Sequence, residues 1–363
     1  MNDRRPARVF PIAMETTFLS LVLAASSVSQ APLGPPRRPP ALEPPDAIAL
    51  VAPASPATAD QIARAAANLQ KRGYRTKVFA DPSEKRGYLA SDDAARAEAL
   101  NRAIRDPEVK AILCLRGGYG TPRILDRVDY EALAARPKIL VGYSDATALL
   151  VAATKRAGIV CFHGPMGREW ALGNGPSPFS ERHFWAAFSA ESPLFSDWGG
   201  ARAPGMKAPV TLAPGVAEGV LAGGNLSLLC ALLGTPYEVE TKGAILFLEE
   251  VAEKPFRIDR MLNQLRLSGK LAEVRGVLLG SFEGCDVRDP EGGLNLAEVF
   301  SDYLLPLGVP VLAGYPAGHT PDQVTLPLGL RARLDAGAKT LSFLEPPVEA
   351  RAGEPRAAPE APR

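Results

Sequence analysis

Three short segments combine glycine with a side chain that can attack a carbonyl, take up a proton or bind an anion. Gly142-Tyr143-Ser144-Asp145-Ala146 follows the apolar run Lys138 to Val141 and precedes a helical pattern from Asp145 to Ala157. A serine at such a strand-to-helix turn has the form of a nucleophile elbow, with its hydroxyl at a helix N-terminus whose partial positive charge favours an oxyanion. The second glycine usual in that turn is replaced by Ala146, and a plain helix cap is the competing reading of Ser144. Arg116-Gly117-Gly118-Tyr119-Gly120 follows the buried run Ala111 to Leu115, and its glycines let backbone N–H groups point at an oxyanion or a phosphate. Because Pro122 and Arg123 follow, it is not Gly-x-Gly-x-x-Gly, so a dinucleotide fingerprint is disfavoured and a tight turn is the alternative. Gly318-His319 lies in a polar loop ahead of Thr325-Leu326.

A serine nucleophile needs a base. The chain has only three histidines, His163, His183 and His319. His319 has the most loop-like setting, His163 ends a strand and is the rival base or a substrate contact, and His183 reads as a solvated helix residue. The acid that orients the base is Glu249 or Glu250, where the apolar strand Ala244 to Leu248 breaks into Glu249-Glu250. Four cysteines are widely spaced with no Cys-x-x-Cys, which argues against zinc ribbons and thiol redox motifs. Cys114, Cys161 and Cys230 sit in apolar runs and read as core. No metal and no cofactor is expected.

These residues need a scaffold, and the chain's 363 residues suffice for two domains with tails. Hydrophobic residues make up 46% and charged ones 22%, which excludes wholesale disorder. The 41 Lys and Arg nearly cancel the 40 Asp and Glu, so no field draws the chain to nucleic acid or anionic lipid, and a small molecule or peptide is the expected partner. From Ala47, strands alternate with helices: Ile62, Ala65, Ala66 and Leu69 line one helical face that Gly73 ends, and Ser91 caps a second helix through Arg105. Such alternation predicts a parallel sheet covered on both faces, with functional loops at the carboxyl ends of its strands. After the Gly- and Pro-rich stretch from Gly199 to Gly215, strands outnumber helices. The expected fold is therefore α/β: a Rossmann-like parallel-sheet domain over 47–200, then a smaller β-rich mixed domain over 215–344.

The ends differ in composition. Arg4, Arg5 and Arg8 precede the apolar stretch Thr17 to Ala25 and the triplet Ser27-Val28-Ser29, a passable export signal, although Glu15 lies beside its apolar core and Met14 offers another start. Seven of the sixteen residues from Ala31 to Asp46 are proline, which predicts a stiff linker unable to pack a core, with the fold beginning near Ala47. Residues 345–363 read as a frayed tail.

Arg-Gly-Gly-Tyr-Gly at 116–120, Gly-Tyr-Ser-Asp at 142–145, Gly-Gly-Asn-Leu at 223–226, Leu-Glu-Glu at 248–250 with Arg257 to Leu262, and Gly-His at 318–319 with Leu-Pro-Leu-Gly at 326–329 occur in one order. Together they resemble the LD-carboxypeptidase family, serine peptidases that cut a terminal D-alanine from murein peptides. The similarity runs from about Ala47 to Leu344. The resemblance implies a metal-free triad with Ser144 as nucleophile, His319 as base and Glu249 as orienting acid. It also implies an oxyanion hole shared by Asp145 and Gly117 or Gly118. A carboxypeptidase must hold a free carboxylate, which suits the planar fork of Arg116 or Arg123. Tyr119 and Asn225, which stand in two of these motifs, are further candidate substrate contacts.

The implied partner is a murein tetrapeptide, with no nucleic acid, no stable membrane insertion and a homodimer left open. A cytoplasmic location is expected because the related enzymes mostly recycle murein there, and export is the alternative because those relatives need no extension like residues 1–46. Two rivals stand beside this reading. A self-immunity branch that cleaves peptidyl-nucleotide antibiotics shares the triad and would favour an aromatic such as Trp170 or Trp198 for stacking a base. A murein-peptide binding protein without turnover has no need of Ser144, Glu249 and His319 together.

Overall fold

The structure is a computed structural model, and it describes residues 36–192, 206–286 and 292–351. The predicted signal segment, Trp198, residues 199–205 and the end of the tail lie outside the described residues. In chain order the first strands are β1 (Ala47–Val51), β2 (Arg75–Val78), β3 (Val109–Cys114), β4 (Ile139–Gly142) and β5 (Cys161–His163). There follow β6 (Val210–Ala213), β7 (Val216–Asn225), β8 (Ala244–Val251), β9 (Gly276–Glu283) and β10 (Val311–Ala313). The last are β11 (Leu326–Leu328), β12 (Arg331–Asp335) and β13 (Thr340–Phe343). The helices are α1 (Ala59–Gln70), α2 (Asp93–Arg105), α3 (Tyr130–Ala135), α4 (Thr147–Arg156), α5 (Gly167–Trp170) and α6 (Pro178–Ala186), then α7 (Leu226–Ala231), α8 (Pro255–Leu267) and α9 (Leu296–Leu304).

One sheet has the order β11-β5-β4-β3-β1-β2, with its first five strands in sequence mutually parallel and β11 antiparallel at the edge. The expected α/β fold with a parallel N-terminal sheet is thus present. The second sheet, β13-β12-β7-β8-β9-β10-β6, is mixed, with β7 to β10 parallel at its centre and antiparallel strands outside. β11 crosses the expected order, because it follows β10 in sequence yet pairs with β5, placing Leu326 opposite His163.

The predicted helices form with local differences. The α1 helix is capped by a reciprocal pair, Thr58 Oγ1 accepting from the Gln61 N–H and Gln61 Oε1 from that of Thr58. Asp92, not Ser91, caps α2, its carboxylate accepting from the Ala95 N–H at 2.8 Å. His183 is fully buried in α6 with Nδ1 2.8 Å from the Phe179 carbonyl, so it is a core residue rather than a solvated one. All four cysteines are buried and free.

Strand alternation sorts the core. Ile245 and Phe247 of β8, with Leu221, Leu278 and Leu312 of its neighbours, pack into the same apolar cluster as β1, β3 and β4. Leu246 and Leu248 face the other way, onto α7, α8 and α9 through Leu229, Ile258, Leu262 and Val299. Fully burying each such side chain contributes about 1.5–3 kcal/mol.

The expected proline-rich linker differs over residues 36–46. Ala41 and Leu42 are buried, the Arg37 N–H donates to the Gly158 carbonyl and the Leu42 N–H to that of Phe188. Ala41 also pairs with Glu349, and Val348 is buried, so the start of the predicted frayed tail is packed as well. Between the prolines these few residues keep their N–H donors and two apolar side chains, enough to dock an extended strap.

Candidate active site

Loops after β3, β4 and β10 carry the glycine segment, Ser144 and His319, whereas Glu249 lies within β8, which runs on to Val251 instead of breaking after Leu248 as expected. Ser144 follows β4 with φ +59°, a left-handed backbone that costs a non-glycine residue about 1–2 kcal/mol. It opens a single 3-10 turn, Ser144–Ala146, that leads into α4. A methyl at Gly142 would lie 2.6 Å from Ala146 Cβ, so the turn folds back over a position that only glycine fits. Ala146 is accommodated in place of the usual glycine because the opposite residue already lacks a side chain.

The glycine loop lies against this turn. A methyl at Gly117 would sit 2.9 Å from Ser144 Oγ and 3.4 Å from the Asp145 nitrogen. Among the described residues the N–H groups of Gly117 and Gly118 have no intramolecular acceptor, so they are available as donors. Three contacts that the sequence reading did not find hold the loop in place. The Ser55 N–H donates to the Gly117 carbonyl at 3.2 Å, and Ser55 Oγ accepts from the Tyr119 N–H at 3.3 Å. Buried Arg96 donates to the Gly120 carbonyl at 2.9 Å. The Asp145 carboxylate accepts from the Thr121 N–H at 2.8 Å, tying the loop's exit to the nucleophile turn. Burial pushes the Asp145 carboxyl up from its ordinary range, against the hydrogen bond from Thr121.

The candidate acid and base come from the second half of the chain. Glu249 is fully buried, and its Oε2 accepts a 2.7 Å hydrogen bond from His319 Nδ1. That bond sets the tautomer, with the proton on Nδ1 and a lone pair on Nε2. Burial opposes charge on Glu249, but the two imidazoles beside it, His163 and His319, outweigh burial and hold its carboxyl down at about 2. The His319 ring packs edge-on against Tyr143, the residue before Ser144, with centroids 4.9 Å apart. Among the described residues the Ser144 hydroxyl makes no hydrogen bond to His319. Such catalytic bonds are often long without substrate and tighten when it binds. The Tyr143 hydroxyl donates to Glu169 Oε1 at 2.9 Å, which fixes the ring against which His319 rests.

The alternatives separate by strand parity. Glu249 shares its face with Ile245 and Phe247, whereas Glu250 shares the helix-facing side with Leu246 and Leu248. There Glu250 accepts from Asn225 Nδ2 at 2.9 Å and the Ser227 N–H at 2.8 Å. Asn225 is thereby engaged: it also caps α7 and is almost fully buried. Arg123 forms a bidentate pair with Asp93 at 2.8–3.1 Å. Arg116 is exposed, with one long hydrogen bond to the Pro56 carbonyl at 3.4 Å, and with Arg168 it lines a small cleft that Leu115 and Gln61 help to form. Tyr119 is 47% exposed, and its ring lies 5.9 Å from that of Tyr88. Trp170 is fully buried and cannot stack on a ligand. Among the described residues no group of His, Cys, Asp and Glu is arranged to hold a metal ion, and no helix is long and apolar enough to cross a membrane.

Sequence models of the LD-carboxypeptidase N-terminal and C-terminal domains match residues 48–164 and 218–334. A probable murein peptide carboxypeptidase of Bacillus subtilis is 38% identical over 84% of this chain and 93% of its own length. The crystal structure of a muramoyltetrapeptide carboxypeptidase from Oxalobacter formigenes superposes with a TM-score of 0.70 at 33% identity, covering 82% of this chain and 97% of that one. The microcin C7 self-immunity protein MccF in its wild-type apo state gives a TM-score of 0.78 at 25% identity, covering 86% of this chain and all of that one.

Proposed function

The chain belongs to the LD-carboxypeptidase family, and from that premise we propose that it is a serine carboxypeptidase that removes the terminal D-alanine of murein tetrapeptides through Ser144, His319 and Glu249. The observation that carries the assignment of residues is the buried 2.7 Å bond between Glu249 and His319, whose ring lies against the strained turn bearing Ser144. In this mechanism His319 Nε2 takes the Ser144 proton as Oγ attacks the carbonyl before D-alanine, then gives it to the leaving amine. Water repeats the sequence on the acyl-enzyme. Glu249 stays ionised and stabilises the imidazolium. The oxyanion is received by the N–H of Asp145 with that of Gly117 or Gly118, donors fixed before the reaction.

For the substrate's free carboxylate, Arg116 is the better candidate, because Arg123 is held by Asp93 and Asn225 by Glu250. Tyr119 stands exposed on the same loop as a substrate contact. Arg168, which also lines the cleft, is paired with Glu169 at 2.9 Å, so Arg116 is the cleft's arginine without a carboxylate partner among the described residues. We place this reaction in the cytoplasm, in murein recycling, with export as the alternative, and divide the chain into nucleophile and acid–base domains at 47–200 and 215–344.

Incubation with a tetrapeptide ending in D-alanine, followed by mass spectrometry, should show loss of that one residue, much slower reaction of the C-terminal amide, and none with Ser144→Ala. An intact tetrapeptide together with cleavage of an aminoacyl-nucleotide conjugate would move the chain to the self-immunity branch. Binding without turnover of either would make it a binding protein.

A further inference from the structure

Glu249 has a second imidazole neighbour that the triad does not use. His163 is fully buried at the end of β5, and neither of its ring nitrogens has a hydrogen-bond partner. A neutral imidazole must carry one N–H, and an unsatisfied buried donor costs about 1–3 kcal/mol. Glu249 Oε1, the oxygen not bonded to His319, is equally buried and also without a partner. The two unsatisfied groups face each other, with His163 Nε2 3.8 Å from Glu249 Oε1. A shift of about 1 Å brings them to ordinary hydrogen-bond length.

The surroundings leave the ring little else to do. The His163 backbone is pinned between Gly142 of β4 and Leu326 of β11. Its ring meets Phe247 at 4.9 Å and Tyr143 at 5.8 Å, both presenting aromatic faces or edges. The titratable groups around it are Glu249 on β8, Tyr143 on the nucleophile turn, whose hydroxyl is already given to Glu169, and His319 beyond Glu249.

We propose that His163 is a positioning residue that donates its Nε2 proton to Glu249 Oε1, so that the carboxylate is held by one imidazole on each oxygen. With both oxygens engaged the carboxylate cannot rotate, and Oε2 stays aimed at His319 Nδ1. Shared acceptance also weakens Glu249 as a base, which keeps it from drawing the Nδ1 proton off the imidazolium during acyl transfer. The proposal rests on the Ser144–His319–Glu249 reading.

The test compares His163→Phe, which keeps a ring without a donor, with His163→Gln, which returns an N–H near the same place. Rates across pH and melting curves are measured on both. His163→Phe should lower kcat by about 10- to 100-fold with KM within about twofold. It should also move the acid limb of kcat/KM to higher pH, because Glu249 with one donor fewer holds the His319 proton more tightly. His163→Gln should restore most of both. Wild-type kcat and acid limb in His163→Phe, or equal losses in the two folded variants with the limb unmoved, overturns the proposal. If neither variant folds, nitrogen-15 histidine spectra of the wild type decide: a hydrogen-bonded Nε2–H on His163 supports it, and a bare Nε2 overturns it. Ser144→Ala and His319→Ala run in parallel. Their inactivity beside an unaffected His163→Phe removes only His163, whereas their full activity removes the triad and this proposal with it.

Discussion

The proposed nucleophile side and the proposed acid–base side of the site are held by different means. Ser144 is positioned mainly by backbone: a strand end, a fold-back that only glycine at 142 permits and a left-handed φ, with the Asp145 carboxylate tying down the glycine loop. Glu249 and His319 are positioned by side chains, in a buried pair with a second imidazole alongside. Backbone placement rests on two short glycine-bearing segments around Gly117 and Ser144, so each can be read locally and is sensitive to added atoms. Side-chain placement depends on burial and on partners distant in sequence, so it is sensitive to lost partners.

The largest expected effect tests whether the two sides act as one unit. Ser144→Ala and His319→Ala should each lower kcat by about 10⁴-fold or more, and the double variant should lose little beyond either. Additive losses would separate the two sides. Glu249→Gln should cost about 10³- to 10⁴-fold in the same assay. It carries a second readout, because the folded carboxyl titrates at about 2 against an ordinary 4.5. Stability from the ionised carboxylate is complete above pH 4.5 and is lost as pH falls toward 2, and melting curves of Glu249→Gln should lack that loss.

A smaller effect probes the backbone side alone. Gly117→Ala places a methyl 2.8 Å from Ser144 Cβ. Activity should fall about 100-fold through a displaced nucleophile while the Glu249–His319 pair is untouched. Unchanged rates would mean that the loop yields freely and does not hold Ser144 rigidly.

The smallest effect separates two arginines that look alike in sequence. Arg116→Ala should reduce kcat/KM on the free acid about 10- to 100-fold, with little change on the amide, through one lost charge-assisted contact. Arg123→Ala removes an exposed ion pair with Asp93, which keeps Arg96 as a partner, and should change stability little, with near-normal selectivity between acid and amide. The reverse pattern would exchange their roles.

Much of the scaffold was legible in the sequence because its signals are local. Apolar runs of four to six residues between helical periods predicted the parallel sheet, and glycine-bearing strand ends marked the loops at its edge. The strap over residues 36–46 was not legible, because proline content reports stiffness and says nothing about what an extended segment docks against. Nor was the burial of His183, whose helix mixes Glu181 and Arg182 with Phe179, Phe184 and Trp185, so that only packing decides which side faces the core, with Phe179 at a centroid distance of 4.2 Å.

By itself the sequence determined which residue types could do the chemistry: a serine at a strand-to-helix turn, glycines with free donors, three histidines and two adjacent glutamates. Tertiary structure decided which of them work together. β8 is buried on both faces, so its apolar run shows no alternation, and only the packing of one face on the parallel sheet and the other on α7 to α9 sends Glu249 to His319 and Glu250 to Asn225. The same holds for Arg123, committed to Asp93 thirty residues away, and for His163, brought to Glu249 across two sheets. A side chain's type is fixed by the code. Its partner is fixed by the burial that removes every other choice.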